Sequence, residues 1–187
     1  MAVCTVTLPV ANADDCAYNL HYGRIDAIFY TRAETTDGLT SAASSTEWGT
    51  RLSNSAALTA SGTAAPIRYL YCTGEWPLPE RTEVEVSAGR TAQTVPKHTL
   101  TLDVDDTGDT NAALLEAEQL TTKRRKVWLL IQGQLHGGNA GYEMDMTFLG
   151  RLIGRVRTET QKIQVQLKYE GAQKAPIASV VPILTPA

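Results

Sequence analysis

The densest run of groups able to do chemistry is Asp103, Asp105, Asp106, Gly108 and Asp109. Acids at the first and third positions and a glycine at the sixth partly match a calcium loop. The match fails at Thr107, the fifth position, and at Leu114, the twelfth, where a bidentate glutamate is required. No helix is expected ahead of it either. The run reads instead as a strand ending in an Asp-rich turn that caps a helix. An enzyme would have to draw its acids from Asp103, Asp105, Asp106 or Glu143, and no nucleophile, metal set or cofactor loop accompanies them. The expectation is a protein that is not an enzyme, with no catalytic, cofactor-binding or metal-ligating residues.

The remaining candidates are weaker. His21, His98 and His136 stand far apart, with no HExxH spacing and no Cys/His pairing. His98 is expected on the apolar face of a strand, and His136 in water within a glycine loop. Gly137-Gly138 lacks the Gly-Lys-Ser/Thr ending that would hold phosphates, so it reads as a turn. The basic run Lys123, Arg124, Arg125, Lys126 has no interleaved aromatic residues to stack on bases. It is expected as a solvated helix end or a salt-bridging subunit edge. Trp48, Tyr69, Tyr71, Trp76 and Trp128 could supply a stacking platform for a sugar, although core packing is the commoner fate of such rings. Cys4, Cys16 and Cys72 are odd in number and widely spaced, which predicts reduced thiols in a cytoplasmically folded protein. The spacing leaves a Cys4–Cys16 bridge open.

These residues sit in a chain of ordinary globular balance. It has 187 residues, 43% hydrophobic and 20% charged, enough for one domain with a core plus arms. A net charge of −3 gives no reason to expect nucleic-acid binding. The first residues lack a basic stretch leading into a long apolar run, so no signal peptide is expected. No segment approaches the roughly 20 apolar residues of a membrane helix.

The elements that must position everything are strands. Ile163, Val165, Leu167 and Tyr169 alternate with Lys162, Gln164, Gln166 and Lys168. Tyr142, Met144, Met146 and Phe148 alternate with Glu143, Asp145 and Thr147. Period-two alternation puts one face in a core and the other in water. Further strands are expected at 25–31, 67–73, 82–87 and 97–105. Val127 to Gln132, apolar through Ile131, predicts a strand buried on both faces. Trp76-Pro77-Leu78-Pro79 must interrupt pairing, because proline lacks a donor N–H.

Residues 33–65 are rich in Ser, Thr, Ala and Gly and are expected as a long excursion without a core of its own. Ser44 and Glu47 have capping-box spacing there, predicting one short helix. A second helix is expected over about 110–121, with Ala113, Leu114, Ala117 and Leu120 as its apolar stripe. The fold class is therefore mainly β: an antiparallel β-sandwich or barrel over 25–170, one helix packed on it, a strand or arm at 1–24 and an extended arm at 171–187.

That C-terminal arm carries Pro176, Pro182 and Pro186 beside Ile177, Val180, Val181, Ile183 and Leu184. The prolines forbid a regular helix and the apolar residues avoid water, so the arm either clamps its own domain or straps a neighbour. Those five apolar residues are the candidate subunit-interface residues.

In layout the chain resembles the tail tube proteins of tailed bacteriophages and related hexameric tube-forming proteins. Three pieces carry the resemblance: the strand Lys97–Val104 running into Asp105-Asp106-Thr107-Gly108-Asp109-Thr110-Asn111 with a helix behind it; Val127-Trp128-Leu129-Leu130-Ile131 with its glycine connection; and the closing strand Thr160–Tyr169. The resemblance spans roughly residues 67–170 and rests on no signature motif. It implies subunits that join their sheets into a ring, rings that stack into a tube, and DNA that crosses it without specific binding. Partners would be further copies, in a hexameric ring, and other virion tail proteins, with no cofactor and no membrane. The location would be the virion, after folding in the host cytoplasm. Lys162, Gln164, Gln166 and Lys168 become the candidate lumen or solvent face. A neck, terminator or other ring-forming virion protein fits the same features, and a carbohydrate- or receptor-binding β-sandwich is the alternative of a different class.

Overall fold

In the computed structural model the described residues are 23–33, 38–53, 65–78, 80, 83–87, 90–105, 122–152, 162–174 and 176–177. The N-terminal arm, the acidic turn beyond Asp105 and the helix expected at 110–121 lie outside them, as do Cys4, Cys16 and His21.

The strands are β1 (Arg24–Arg32), β2 (Arg68–Glu75), β3 (Glu83–Ser87), β4 (Arg90–Gln93), β5 (Lys97–Asp105), β6 (Lys123–Ile131), β7 (Gln134–His136), β8 (Tyr142–Leu152) and β9 (Lys162–Glu170). One short helix, α1, spans Ser45–Arg51. Six strands close into an antiparallel barrel in the order β1-β2-β5-β9-β8-β6, and β6 returns to β1. β7 is an extra strand on the end of β6, and β3 and β4 form a separate two-stranded ribbon.

Closure follows from alternation. Leu100, Leu102 and Val104 of β5, Ile163, Val165 and Leu167 of β9, and Met144, Met146 and Phe148 of β8 all point inward. They meet Ile25, Ile28 and Tyr30 of β1 and Val127, Leu129 and Ile131 of β6. A barrel this narrow is filled by its own side chains and holds no channel. Any lumen would have to lie between subunits. Both β8 and β9 pair with a strand on each side. β9 therefore offers no free edge for a sheet continuing into a neighbour, and β8 offers none over Tyr142–Met146, where β6 lies beside it.

β1 and β6 are buried on both faces, as the apolar run at 127–132 predicts. Their outward residues Ala27, Phe29, Trp128 and Leu130 meet a second core made by Leu39, Ala42, Trp48, Ile67 and Leu135. This corrects the expectation for 33–65. Its few large residues, chiefly Leu39 and Trp48, cover the β1–β6 wall and do build a core with it.

The short helix forms where Ser44 and Glu47 place it. The Ser44 hydroxyl accepts from the Glu47 N–H, while the Glu47 carboxylate accepts from the N–H groups of Thr40 and Ser41. Burial raises the Glu47 pKa, but those bonds and the Arg51 charge outweigh it and hold the carboxyl below its ordinary value. Arg51 is buried and donates to the carbonyls of Ala65 and Gly38. It thereby ties together the two ends of the excursion.

The basic run corrects a second expectation. Lys123 to Lys126 are the opening residues of strand β6 and are not themselves a helix end. Arg124 is exposed and pairs with Asp145 at 3.2 Å, whereas Arg125 and Lys126 are buried. Two of the four cations are thus withheld from any phosphate backbone.

Candidate interaction surfaces

The outward side chains of β6, β8, β9 and β5 make one polar wall. Cross-strand register aligns Arg124 with Asp145, Asp145 with Lys168, and Lys168 with Thr99. The next row runs from Thr147 to Gln166 to Thr101, and the Thr122 and Thr147 hydroxyls meet at 2.8 Å. Then come Gln164 and Asp103, with Lys162 reaching the Asp103 carboxylate at 3.7 Å. Lys162, Gln164, Gln166 and Lys168 stand on this outer face, opposite the inward Ile163, Val165 and Leu167. The wall is a mosaic of hydroxyls, amides and opposed charges.

One end of the barrel is plugged by rings. Trp76 packs on His98 at 5.0 Å and on Tyr142 at 5.5 Å, and Tyr142 on Tyr169 at 5.0 Å. His98 lies inside, as its strand face predicts, with Nδ1 3.2 Å from the Pro77 carbonyl. Outside this plug a groove of about 420 Å³ is lined by Glu80, Lys97, Arg124, Asp145, Lys168 and Glu170 among others. It carries three cations and three carboxylates, so it favours no single sign of ligand.

The C-terminal arm starts on its own domain. The Tyr142 hydroxyl accepts from the Lys174 N–H at 2.8 Å and donates to the Lys174 carbonyl at 3.3 Å. The same carbonyl accepts from His136 Nδ1 at 3.1 Å. Lys174 Nζ donates to the Gly141 carbonyl and lies over the Tyr142 ring. Burial pushes the Tyr142 hydroxyl far above its ordinary pKa, against the pull of the Lys174 N–H, and keeps it a neutral donor. Burial also lowers the Lys174 ammonium, with Glu143 opposing and Lys126 assisting. From this clasp Pro176 pairs with His136, and the Ile177 N–H donates to the Leu135 carbonyl. Ile177 then packs on the second core. Val180, Val181, Ile183 and Leu184 lie outside the described residues. His136, expected in water, is buried at the end of β7 because the arm covers it.

No family model, no curated protein and no solved structure matches this chain.

The residues themselves therefore carry the functional argument. Asp103 is half-buried beside Lys162, and Asp105 closes β5, while Asp106, Gly108 and Asp109 lie outside the described residues. Among the described residues no group of His, Cys, Asp or Glu could hold a metal ion. Of the five aromatic candidates, Trp48, Trp76 and Trp128 are buried. Only Tyr69 and Tyr71, whose rings meet at 5.7 Å, remain near the surface. Residue spacing gave no sign of the Lys174 clasp, since it joins groups 32 and 38 positions apart.

Proposed function

We propose that this protein is a non-enzymatic structural subunit of a bacteriophage tail. Copies assemble into rings, the rings stack into a tube, and the space they enclose passes DNA without specific binding. Other virion tail proteins are its further partners, and the virion its location. One observation supports the reading above the rest: the outer wall of β5, β9, β8 and β6 pairs its cations with neighbouring carboxylates. Arg124 faces Asp145, Lys162 faces Asp103, and Lys97 meets Glu170 at 3.0 Å. A surface with compensated charge suits close packing between copies, and it does not grip a passing phosphate backbone as clustered free cations would. A neck or terminator ring uses the same physics and differs in what the ring joins.

The experiment is sedimentation and negative-stain electron microscopy of the purified chain across a concentration series. The expected result is rings or tubes many times the mass of one chain. A strictly monomeric species at high concentration overturns the reading. A second reading rests on Tyr69 and Tyr71: the exposed Tyr71, backed by the half-buried Tyr69, could stack on a sugar ring. Binding of glycans by a monomer, lost in Tyr71→Ala, would favour it.

A further inference from the structure

Among the described residues every barrel strand has a partner on both sides over at least part of its length, so no barrel strand presents a whole open edge. The β3–β4 ribbon is different. Its strands pair only with each other, Glu83 with Gln93 and Glu85 with Thr91. Neither outer edge meets another strand among the described residues, and neither strand shares a substantial contact with another described element. The ribbon is anchored at its base, where Glu80 and Lys97 exchange backbone hydrogen bonds of 2.8 and 3.0 Å. From Glu83 to Ser87 the ladder spans about 13 Å at the rise of a strand. An isolated two-stranded ribbon is marginal in water, and its open edges are templates for further strands.

Its surface agrees. Five large apolar side chains are exposed among the described residues, and Leu78 (70%), Val84 (50%) and Val95 (58%) are three of them. All three belong to this finger or its root. The charges then choose between pairings. β3 carries Glu83 and Glu85, and β4 carries Arg90 and no acid. Two β3 edges laid antiparallel would bring glutamates together, which is destabilising. A β4 edge laid on a β3 edge sets the basic strand against the acidic one.

We infer that the β3–β4 ribbon is a docking finger that joins two copies of this chain head to tail, the β4 edge of one adding to the β3 edge of the next. Such a contact is heterologous, so repeating it closes a ring or continues a filament. The inference rests on the self-assembling reading above and names the surface through which that assembly proceeds.

The test uses the full chain. In one variant residues 81–96 are replaced by Asn-Gly, which closes Glu80 to Lys97 as a two-residue hairpin. In two others the charges are changed, Glu83→Arg with Glu85→Arg in one and Arg90→Glu in the other. Sedimentation reads assembly, and circular dichroism checks the barrel. The finger-less variant should keep its barrel and fail to assemble. Each charge variant alone should need a roughly tenfold or higher concentration to assemble, because like charges then face each other. Mixed in equal amounts, the two should assemble as the parent does, each supplying the edge that the other repels. Normal assembly of Arg90→Glu alone overturns head-to-tail pairing in favour of β3 on β3. Undiminished assembly without the finger overturns the finger while leaving the ring-forming reading intact. A monomeric parent chain overturns both.

Discussion

Two hairpins of this protein have met opposite fates. β6–β7 turns through Gln132 and Gly133, both with positive φ, the conformation of a tight two-residue connection. β3–β4 is equally local. Yet the first is covered by α1, its loop and the C-terminal arm, and the second makes no substantial contact with the barrel strands among the described residues. The difference lies in what each finds within reach. Trp128 and Leu130 of β6 and Leu135 of β7 face α1 and its loop, and the C-terminal arm lies along the outer edge of β7. The loop 137–141 wraps Trp128, whose Nε1 donates to the Gly138 carbonyl at 2.7 Å. Asn139 fastens that loop to the excursion, accepting from Leu39 through its backbone and from Ala42 through its side chain. No such cover reaches β3 and β4 among the described residues. A hairpin acquires a fixed place through its apolar outward residues and their partners, and not through its turn.

The comparison breaks most sharply at Trp128. Trp128→Ala empties the second core and should cost about 3–5 kcal/mol in denaturant unfolding. A loss under about 1 kcal/mol would show that the cover on β6–β7 contributes little. Next comes Gly137, with φ of 134° and an added Cβ only 2.6 Å from Trp128 Cδ1. Gly137→Ala should cost about 1–3 kcal/mol by strain and displacement of the indole. Gly138→Ala, where a Cβ meets open space, should cost less by the same measurement.

Tyr142→Phe keeps the buried ring but removes both bonds to Lys174. About 1–2 kcal/mol of local stability should go. Trypsin should then cut after Lys174 faster than at barrel sites, whereas uniform acceleration would mean the whole barrel had loosened. Glu47 sharpens the role of the helix that covers β6. Its carboxyl is held below 4.5, so its contribution is present above that pH and fades as pH falls through the lower folded value. The melting difference between the parent and Glu47→Gln should accordingly shrink in acid, and a difference independent of pH would remove the carboxylate from the account. The smallest effect is expected in the finger, where Val84→Ser should change monomer stability by no more than about 0.5 kcal/mol. A larger loss would mean that Val84 is packed within the chain.

Much of the barrel was legible. β5 and β9 match the alternating segments almost to the residue, because each buries one face and wets the other. α1 followed from Ser44 and Glu47, and β2 ends before Trp76-Pro77 as proline requires. The start of β6 was not legible. Lys123 to Arg125 show no apolar alternation, and Arg124 belongs in a strand because Asp145 stands beside it on β8. β4 and β7 were missed for a similar reason: four residues and three residues are too short to show a period, and pairing alone defines them. The Lys174 clasp depends on Tyr142 and His136 arriving together, which the separation along the chain conceals. The five arm residues share one apolar, proline-flanked composition, yet Ile177 packs on the domain that carries it.

The sequence by itself determined that this is a β protein with one wet and one dry face to its best strands. Side-chain direction along a strand has a period of two whatever the strand pairs with, so local order suffices. Tertiary structure alone decided which edges are used up. Edge pairing joins residues far apart in the chain: β9, whose alternation is clearest, lies between β5 and β8 with both edges taken, and β1 on β6 closes the barrel. It left the β3–β4 finger, modest in sequence, as the ribbon with both outer edges open among the described residues.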